Sequence, residues 1–210
     1  MRLFDRFDKV YCVNLDRRPD RLENFKKEVS KYNLGEFERF SAYDGDKLDL
    51  SKYSTNLNPG AIGLILSNIE IIKDAKKNNY KKIIIIEDDC YFSDEILNID
   101  SYFELLPDDW DLLYMGGNHN THMMTDPPIK INDKVCKLHS TYTTHFVAIN
   151  ESMFDIIKIS LINTHHPIDV IYSNLQKNHN VYSFTPAIAL QLEGFSDIEK
   201  NNINYKWLIK

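Results

Sequence analysis

Residues 81–89 read Lys-Lys-Ile-Ile-Ile-Ile-Glu-Asp-Asp, and they organise the rest of the chain. Four consecutive β-branched isoleucines predict a short strand that is buried on both faces, as in the middle of a parallel sheet. Three adjacent carboxylates, Glu87, Asp88 and Asp89, follow at once and repel one another unless a positive charge lies nearby. A divalent cation with oxygen ligands is one explanation. The start of an ordinary solvated loop is the other, and both stay open on the triplet alone.

Length, charge and cysteine content restrict the class of protein. The 210 residues fit one domain, 1–210, and the net charge of −6 argues against broad nucleic-acid binding, which needs a cationic surface. Three cysteines without zinc-ligand spacing favour a reducing compartment, with Cys12 as a buried free thiol. Residues 1–8 lack the apolar core of a signal peptide, and no apolar stretch is long enough to span a membrane. The sequence therefore predicts a soluble cytoplasmic protein, with peripheral membrane association and oligomeric state left open.

The first half of the chain alternates strands with helices. Apolar runs predict strands at 10–15 and 38–43, before the isoleucine strand at 83–86. The helix boundaries are marked by residues with known terminal preferences: Pro19, Asn58 and Pro59 at the starts and Gly35 at an end. This alternation predicts a mostly parallel α/β sheet with right-handed crossovers.

The second half of the chain is less regular. Its predicted elements are a helix near 96–105, strands at 110–115, 135–138, 142–149 and 181–185, a helix capped by Asn150, and a helix at 167–177. Residues 118–128 are polar and without an apolar period, which is typical of a surface loop or of a mobile lid over a ligand. Residues 187–210 are predicted to form an irregular tail, docked by Phe195 and Trp207.

Three arginines, Arg17, Arg18 and Arg21, cluster in the turn between the first strand and the first helix. A helix N-terminus favours an anion, and nucleotides commonly bind after the first strand of a βαβ unit. The turn lacks the glycine-rich patterns of dinucleotide and P-loop sites, so it indicates another kind of anion site or simply a solvated helix start. Asp44, followed by Gly45, is expected beside this turn, either as an acceptor for a base or ribose hydroxyl or as an ordinary Asp-Gly turn.

Seven segments along nearly the whole chain carry a family resemblance. They are VYCVNLDRRPDR at 10–21, FSAYDG at 40–45, NPGAIGLILSN at 58–68, IIIIEDDC at 83–90, WDLLYMG at 110–116, PID at 167–169, and Gln191 with Ser196-Asp197-Ile198. Together they resemble glycosyltransferase family 25, the group of lipopolysaccharide sugar transferases and collagen galactosyltransferases. The resemblance implies a GT-A-type fold, which is a Rossmann-like, mixed and mostly parallel sheet flanked by helices. Residues 1–117 would bind the nucleotide sugar and residues 118–210 would face the acceptor.

The resemblance also implies a reaction and the residues that perform it. The reaction is the inverting transfer of a hexose, galactose or glucose, from a UDP-sugar to a hydroxyl of a glycan or protein acceptor, assisted by Mn²⁺ or Mg²⁺. Asp89 would be the direct metal ligand, while Glu87 and Asp88 would hold the metal, the ribose or the donor sugar. The residues implied for the nucleotide-sugar site are Asn14, Leu15, Arg17, Arg21, Ala42, Asp44, Gly45, Ser67, Glu87, Asp88 and Gln191.

The chain departs from the family pattern at two positions. Ala61 stands where the family often has Glu, and Asn68 stands where it commonly has His. If those side chains position the donor or the acceptor, the donor choice or the rate of this protein differs from that of its relatives. A catalytically weak or inactive nucleotide-sugar- or carbohydrate-binding module of the same fold is therefore an alternative, and its aromatic residues would suit sugar stacking. A nucleotidyltransferase is a second alternative, although the basic glycine-rich loop expected of that class is missing.

An inverting transfer requires a carboxylate that removes the proton of the acceptor hydroxyl. Asp169 is the first candidate, because it follows Pro167 at a helix start, which stabilises its ionised form; a simple capping role is the alternative. Asp197 is the second candidate, and it could instead complete the metal shell or touch the donor. His145 and His179 are further candidates for metal ligation, although a lone histidine is more often structural.

Overall fold

An eight-stranded mixed sheet lies at the centre of the protein, and helices pack on both of its faces. The computed structural model describes residues 1–53, 55–117, 126–162, 164–198 and 200–203. The strands are β1 (Lys9–Asn14), β2 (Glu38–Ser41), β3 (Lys82–Glu87), β4 (Cys90–Phe92), β5 (Leu112–Tyr114), β6 (Ile129–Lys130), β7 (Val135–Lys137), β8 (Phe146–Asn150), β9 (Val181–Phe184), β10 (Ala189–Gln191), β11 (Gly194–Ser196) and β12 (Asn201–Ile203). The helices are α1 (Pro19–Lys31), α2 (Pro59–Lys77), α3 (Ile99–Glu104), α4 (Phe154–Leu161) and α5 (Ile168–Leu175). Short 3₁₀ turns lie at Phe4–Arg6, Gly45–Lys47, Leu50–Lys52, Asp94–Asn98 and Glu151–Met153.

The strand order of the main sheet is β2-β1-β3-β8-β5-β9-β7-β6. β1 pairs in parallel with β2 and β3, and β5 pairs in parallel with β9. β8 runs antiparallel between β3 and β5, and β7 runs antiparallel to β9 and β6. Strands β2, β1, β3, β5, β9 and β6 therefore share one direction and β8 and β7 run the other way, which confirms the predicted mixed and mostly parallel sheet. The two remaining pairs, β10 with β4 and β11 with β12, lie outside this sheet.

The isoleucines of β3 are buried on both faces, as their pattern predicts. Each of them is at most 3% exposed. Ile84 and Ile86 pack in the apolar layer that includes side chains of α1 and α3, whereas Ile83 and Ile85 pack in the layer that includes α2, α4 and α5. Because alternate side chains of a strand point to opposite faces, this one strand joins the two layers of the core. Burial of each isoleucine contributes roughly 1.5–3 kcal/mol, which fixes the register of β3 and the position of its carboxyl end.

The two long helices begin at the predicted residues. α1 starts at Pro19 and α2 starts at Pro59, where the Asn58 side chain accepts the Ala61 N–H at 2.8 Å. A proline in the first turn loses no helical hydrogen bond, and the asparagine supplies an acceptor that the first turn lacks. Local sequence thus determines where α1 and α2 begin.

The end of α1 differs from the prediction. Asn33, with φ at +49°, adopts the left-handed conformation expected of Gly35. Its N–H donates to Ser30 O at 3.2 Å, and the next N–H, of Leu34, donates to Val29 O at 3.1 Å. This pair of bonds is a Schellman motif, which asparagine forms more easily than other non-glycine residues. Gly35, at φ +114°, instead turns the chain towards β2.

Several predictions for the second half need correction. The strand predicted at 142–149 begins only at Phe146, and the Asn150 side chain donates to Trp110 O at 3.3 Å and does not cap a helix. The predicted irregular tail contains three short strands, and the Phe195 side chain is 46% exposed, so it does not dock the tail. Trp207 and most of the predicted 118–128 loop lie outside the described residues.

Two further properties follow from the described residues. Their helices are all too short or too polar to cross a membrane. Cys12, Cys90 and Cys136 are buried free thiols, as predicted for Cys12.

Candidate functional site

The carboxyl ends of β1, β2 and β3 meet at one edge of the sheet and open into a cleft of about 610 Å³. The register places Glu87 beside Val13 and Asn14 beside Ser41, so the loops after the three strands converge. The opposite wall comes from residues 142–144 and 167–170, and from Ser196 to Ile198 with Lys200 and Ile203. Ligands of open α/β sheets bind at such a carboxyl edge, which makes this cleft the candidate site.

Most residues predicted for the site line this cleft. They are Leu15, Arg17, Arg21, Ala42, Asp44, Gly45, Glu87, Asp88, Asp89, Asp169, Gln191 and Asp197. Asn14 and Ser67 are buried behind its wall, at 2% and 0% exposure. The predicted site residues therefore lie together around one cleft, but Asn14 and Ser67 take supporting positions behind its wall.

Of the two positions that depart from the family pattern and the two candidate histidines, only Ala61 lines the cleft. Ala61 lines the cleft, whereas the buried Asn68 side chain donates to its own helix, at Leu64 O, over 3.0 Å. His145 is 3% exposed and lies just before β8, beside Gly116. His179 lies at the other edge of the sheet, with Nδ1 3.8 Å from Asp111 Oδ2. The described structure thus brings neither histidine to the cleft lining.

Hydrogen bonds of the Asn14 side chain link the arginine turn to the acidic triplet. Its Nδ2 donates to Asp88 Oδ2 at 2.6 Å and to Arg18 O at 2.9 Å, while its Oδ1 accepts from Arg39 Nε at 2.8 Å. Both Nδ2 hydrogens and the Oδ1 oxygen of this buried side chain thereby have hydrogen-bond partners within the protein. Asn14 consequently fixes the carboxylate of Asp88 and the backbone of the arginine turn relative to each other.

The three carboxylates of the triplet have different partners. Asp88 is 6% exposed and accepts from Asn14 and, at 3.1 Å, from Arg21 Nη1. Asp89 is 3.4 Å from the same Arg21 nitrogen and is hydrogen-bonded by Gln191, which the β4–β10 pairing places next to it. The Glu87 N–H donates to His145 O at 2.9 Å, which ties the start of the triplet to β8.

The triplet is short of positive charge. Burial, followed by repulsion from Asp89 and Asp88, raises the pKa of Glu87 to about 8, and burial raises the pKa of Asp89 to about 6. Burial also raises the pKa of Asp88, although Asn14 and Arg21 oppose the shift. Arg21 alone therefore does not neutralise the group, and an added cation would be stabilised there.

The oxygen atoms near Asp89 fit a divalent cation in part. Asp89 Oδ1 and Gln191 Oε1 are buried and lack a hydrogen-bond partner in the part of the chain that the structure describes. Among the same residues, no three His, Cys, Asp or Glu side chains are grouped so as to enclose a metal ion. This donor set suits Mg²⁺ or Mn²⁺, since such ions are often bound by one or two carboxylates together with substrate phosphates.

The arginine turn is linked to the C-terminal part of the cleft. Arg17 and Arg18 both donate to the Asp197 carboxylate, Arg17 Nη1 to Oδ1 and Arg18 Nη1 to Oδ2, the second bond at 2.5 Å. Arg17 Nε also donates to Asp44 Oδ2 at 3.2 Å. Burial would raise the pKa of Asp197, but the two guanidinium groups outweigh it and hold that pKa below its usual value. Asp197 is consequently a poor proton acceptor as it stands here.

Asp169 forms the opposite wall with a strained residue. Its Oδ1 accepts the Val170 N–H at 2.9 Å, and its carboxylate also accepts the N–H of Thr143. Thr143 has φ at +66°, a conformation that a β-branched residue rarely adopts. Burial raises the pKa of Asp169 despite these bonds, so the predicted stabilisation of its ionised form by the helix start is the weaker effect.

Close backbone packing supports the wall formed by residues 42–45. A Cβ on Gly63 would lie 2.3 Å from Tyr43 O, and a Cβ on Gly60 would lie 2.9 Å from Ile198 Cα. Ser67 Oγ accepts the Tyr43 N–H at 3.0 Å and donates to Gly63 O at 2.7 Å. The first turns of α2 thereby hold both the 42–45 loop and the C-terminal segment.

Several lining residues carry no recognisable site signal in the sequence, above all Tyr142, Thr143 and Thr144. Aromatic and β-branched side chains favour a strand here, and nothing in the composition indicates the turn at Thr143. The two glycines of Asn-Pro-Gly-Ala-Ile-Gly were a usable signal, because glycines spaced three apart near a helix start indicate close backbone approach.

Comparison with known proteins identifies relatives. The family model described as glycosyltransferase family 25 (LPS biosynthesis protein) matches residues 7–166. Procollagen galactosyltransferase 2 of Homo sapiens is 23% identical over 202 residues, which are 85% of this chain and 32% of that protein. Procollagen galactosyltransferase 1-B of Xenopus laevis is 21% identical over 215 residues, which are 90% of this chain and 34% of that protein. The chain thus spans about a third of the length of these curated relatives.

A solved structure shows the same architecture. The crystal structure of a glycosyltransferase involved in the glycosylation of the major capsid of PBCV-1 superposes with a TM-score of 0.56 at 11% sequence identity. The match covers 91% of this chain and 95% of that chain. At this identity the likeness speaks for the fold alone, and it confirms the predicted GT-A-type arrangement.

Proposed function

The chain belongs to glycosyltransferase family 25, and from this premise we propose that it transfers a hexose, galactose or glucose, from a UDP-sugar to a hydroxyl of a glycan or protein acceptor. One observation carries the proposal. A single cleft combines the arginine turn and the acidic triplet on one side with the half-buried carboxylate of Asp169 on the other. Groups that suit a donor diphosphate therefore face a carboxylate that suits the acceptor hydroxyl.

The donor would lie along the carboxyl ends of β1, β2 and β3. Arg17 and Arg21 line this part of the cleft, and guanidinium groups suit the oxygens of a diphosphate. Asp44, on the 42–45 loop, has the acceptor oxygens that a ribose hydroxyl or a base N–H requires. The tight contact of Gly63 with Tyr43 fixes that loop, so the base side of the pocket is formed before the donor arrives.

Asp89, with Glu87, would hold Mn²⁺ or Mg²⁺, and the remaining ligands would come from the donor. When bound, the ion neutralises the negative charge that grows on the leaving diphosphate. The support for this assignment is the buried Asp89 Oδ1 without a partner among the described residues, together with the raised pKa values of the triplet. Asp88 keeps its bonds to Asn14 and Arg21, and its role is to fix the triplet.

Asp169 would act as the base. Its carboxylate accepts the proton of the acceptor hydroxyl while that oxygen bonds to the anomeric carbon, and the bond from this carbon to the diphosphate oxygen breaks with inversion. Burial raises the pKa of Asp169, and a base whose pKa lies closer to neutrality is a better catalyst than an exposed carboxylate. The Val170 and Thr143 N–H groups hold the carboxylate in one orientation.

A donor screen tests the proposal. The protein is incubated with Mn²⁺, an acceptor mixture and individual UDP-sugars, and release of UDP is measured. We expect turnover with at least one UDP-hexose. For Asp169→Asn we expect UDP-sugar binding to persist and turnover to fall about 10²- to 10⁴-fold, the usual contribution of a general base.

The matched control is Asp155→Asn. Asp155 also lies in the first turn of a helix, α4, but it is exposed and pairs with Lys76, away from the cleft. Turnover should stay at the wild-type level in this variant. Normal turnover in Asp169→Asn would exclude Asp169 as the base, and donor binding without turnover by the wild type would indicate a binding module.

A further inference from the structure

The cleft carries an excess of negative charge although its proposed ligand is an anion. The cationic residues that line it are Arg17, Arg21 and Lys200. The acidic residues that line it are Asp44, Asp46, Glu87, Asp88, Asp89, Asp169 and Asp197. A diphosphate would meet repulsion in this arrangement, so binding requires an added cation, the removal of an acidic group from the cleft, or both.

Asp197 is the acidic group whose position most closely matches that of a phosphate. Its two oxygens each accept from a different arginine, Arg17 and Arg18, and the side chain is 9% exposed. Two guanidinium groups that converge on two oxygens of one anion form the pattern by which arginines bind phosphate. Arg18 does not belong to the residues assigned to the donor so far, and this contact brings it into the site.

The segment that carries Asp197 is held by several polar contacts and by two half-buried isoleucines, Ile198 and Ile203. It is the hairpin of β11 and β12, whose strands are exposed or half-buried. Its polar anchors include Arg21 Nη2 to Phe195 O at 2.6 Å and Lys200 Nζ to Asp46 Oδ2 at 2.7 Å, besides Asp197 itself. A segment with few buried apolar contacts opens at low cost compared with the core.

We propose that Arg17 and Arg18 form a diphosphate subsite, and that Asp197 is an internal anion which occupies this subsite until the donor displaces it. The inference rests on the proposed function for the identity of the ligand. Displacement frees the Nη1 donor of each arginine, removes one negative charge from the cleft and loosens the β11–β12 hairpin. Arg17 keeps its bond to Asp44 and Arg18 its bond to Asp20. Asp197 is therefore a gate residue, and its role is neither metal ligation nor proton transfer.

Binding of inorganic pyrophosphate and of UDP, measured by calorimetry without divalent cations, tests this directly. Asp197→Asn removes the competing charge but keeps the shape of the side chain. We expect it to bind both ligands roughly tenfold more tightly than the wild type, a coupling of ordinary size. Hydrogen exchange of residues 194–198 and 200–203 should be faster in this variant, and in the wild type when pyrophosphate is added.

Asp20→Asn is the matched control. Asp20 also pairs with Arg18, at 2.9 Å, but it is 60% exposed and lies outside the cleft lining. The Asp20→Asn variant removes a carboxylate that pairs with the same arginine but leaves the hairpin in place. Its pyrophosphate affinity should therefore change much less than that of Asp197→Asn. An equal gain in both variants would mean that only the charge on Arg18 matters, and this would overturn the gate.

Gly60→Ala opens the hairpin by a steric route that leaves every charge in place. The new Cβ would lie 2.9 Å from Ile198 Cα, so the segment must shift. Tighter pyrophosphate binding is expected here too, and it keeps the proposal testable if Asp197→Asn melts early. Weaker pyrophosphate binding in both variants would show that Asp197 positions the arginines for the donor, and would overturn the proposal. The absence of UDP-sugar turnover would count against the function, whereas these affinities judge the gate alone.

Discussion

Thr143 is the residue whose conformation most needs an explanation. Its φ of +66° costs on the order of 1–3 kcal/mol for a β-branched side chain. The strained residue lies at the wall of the cleft, where its N–H donates to the Asp169 carboxylate. We interpret Thr143 as a positioning residue that aims the carboxylate of Asp169 at the acceptor.

Thr143→Gly should separate this positioning role from folding. Glycine adopts the same φ without strain, so the melting temperature should stay equal or rise, but the peptide that holds Asp169 gains freedom. We expect kcat to fall about tenfold with little change in KM for the donor, because small misplacements of a reacting group are costly. Thr143→Asn is the control, since asparagine tolerates this conformation. An unchanged kcat in the glycine variant would show that the strain has no catalytic purpose.

Residue chemistry explains which site residues the sequence could reveal. Arginines at a helix start and a carboxylate triplet after a buried strand are recognisable because their charge must be met by something. The family resemblance implies that Asn14 and Ser67 contact the ligand, but their hydrogen bonds point into the protein. Whether an amide or hydroxyl contacts a ligand or the protein depends on its tertiary neighbours, which local sequence does not encode.

The N-terminal turns of α2 are the element that joins the two sides of the donor pocket. Gly63 touches the 42–45 loop and Gly60 touches the C-terminal hairpin, so this helix end fixes one wall and borders the segment that moves.

Gly63→Ala should therefore weaken the donor pocket. Alanine at a helix position normally gains up to about 1 kcal/mol over glycine, but here its Cβ would lie 2.3 Å from Tyr43 O. We expect a net loss of about 1–3 kcal/mol in unfolding free energy, from overpacking, and weaker UDP binding. Chemical denaturation and calorimetry measure both. Lys73→Ala, on the exposed face of α2, should change neither, and a stabilised Gly63→Ala variant would refute the close contact.

Helix starts could be predicted more reliably than helix ends and short strands. Pro19 and Asn58-Pro59 mark their boundaries by local geometry, whereas either Asn33 or Gly35 satisfies the rules for the end of α1. The strand predicted from residue 142 starts at Phe146, opposite Ile86 of β3. Its start is set by its pairing with β3, which the side chains of residues 142–145 do not reveal. The three strands of the tail are each three residues long, too short for a periodic signal.

The topology of the whole molecule was predictable where connections are local. β1 pairs in parallel with both β2 and β3, as the alternation of strands and helices predicts, and so the arginine turn and the triplet meet at one edge. The insertion of β8 between β3 and β5 is a long-range pairing without a local signal. It matters for the site, since His145 O, just before β8, accepts the Glu87 N–H and fixes the start of the triplet.

The unbalanced charge of the triplet should make the stability of the whole protein depend on pH. The pKa of Glu87 is raised to about 8 in the folded protein by burial and by repulsion from Asp89 and Asp88. A raised carboxyl pKa means that the folded state binds the proton more tightly than the unfolded chain does. The stabilisation is fully present below the ordinary carboxyl pKa, about 4.3, and is lost as pH rises through about 8.

Metal-free protein should accordingly lose melting temperature between pH 5 and about 8, and Glu87→Gln, which cannot ionise, should lose less over this interval. Mn²⁺ at the upper end should restore the wild type more than the variant, because a bound cation replaces the proton and stabilises the folded state by mass action. Glu151→Gln, an exposed residue paired with Lys81, serves as the control and should follow the wild type. If the wild type and Glu87→Gln show parallel pH profiles with and without Mn²⁺, then the charge of the triplet is already met within the protein, and the metal assignment of Asp89 and Glu87 loses its physical basis.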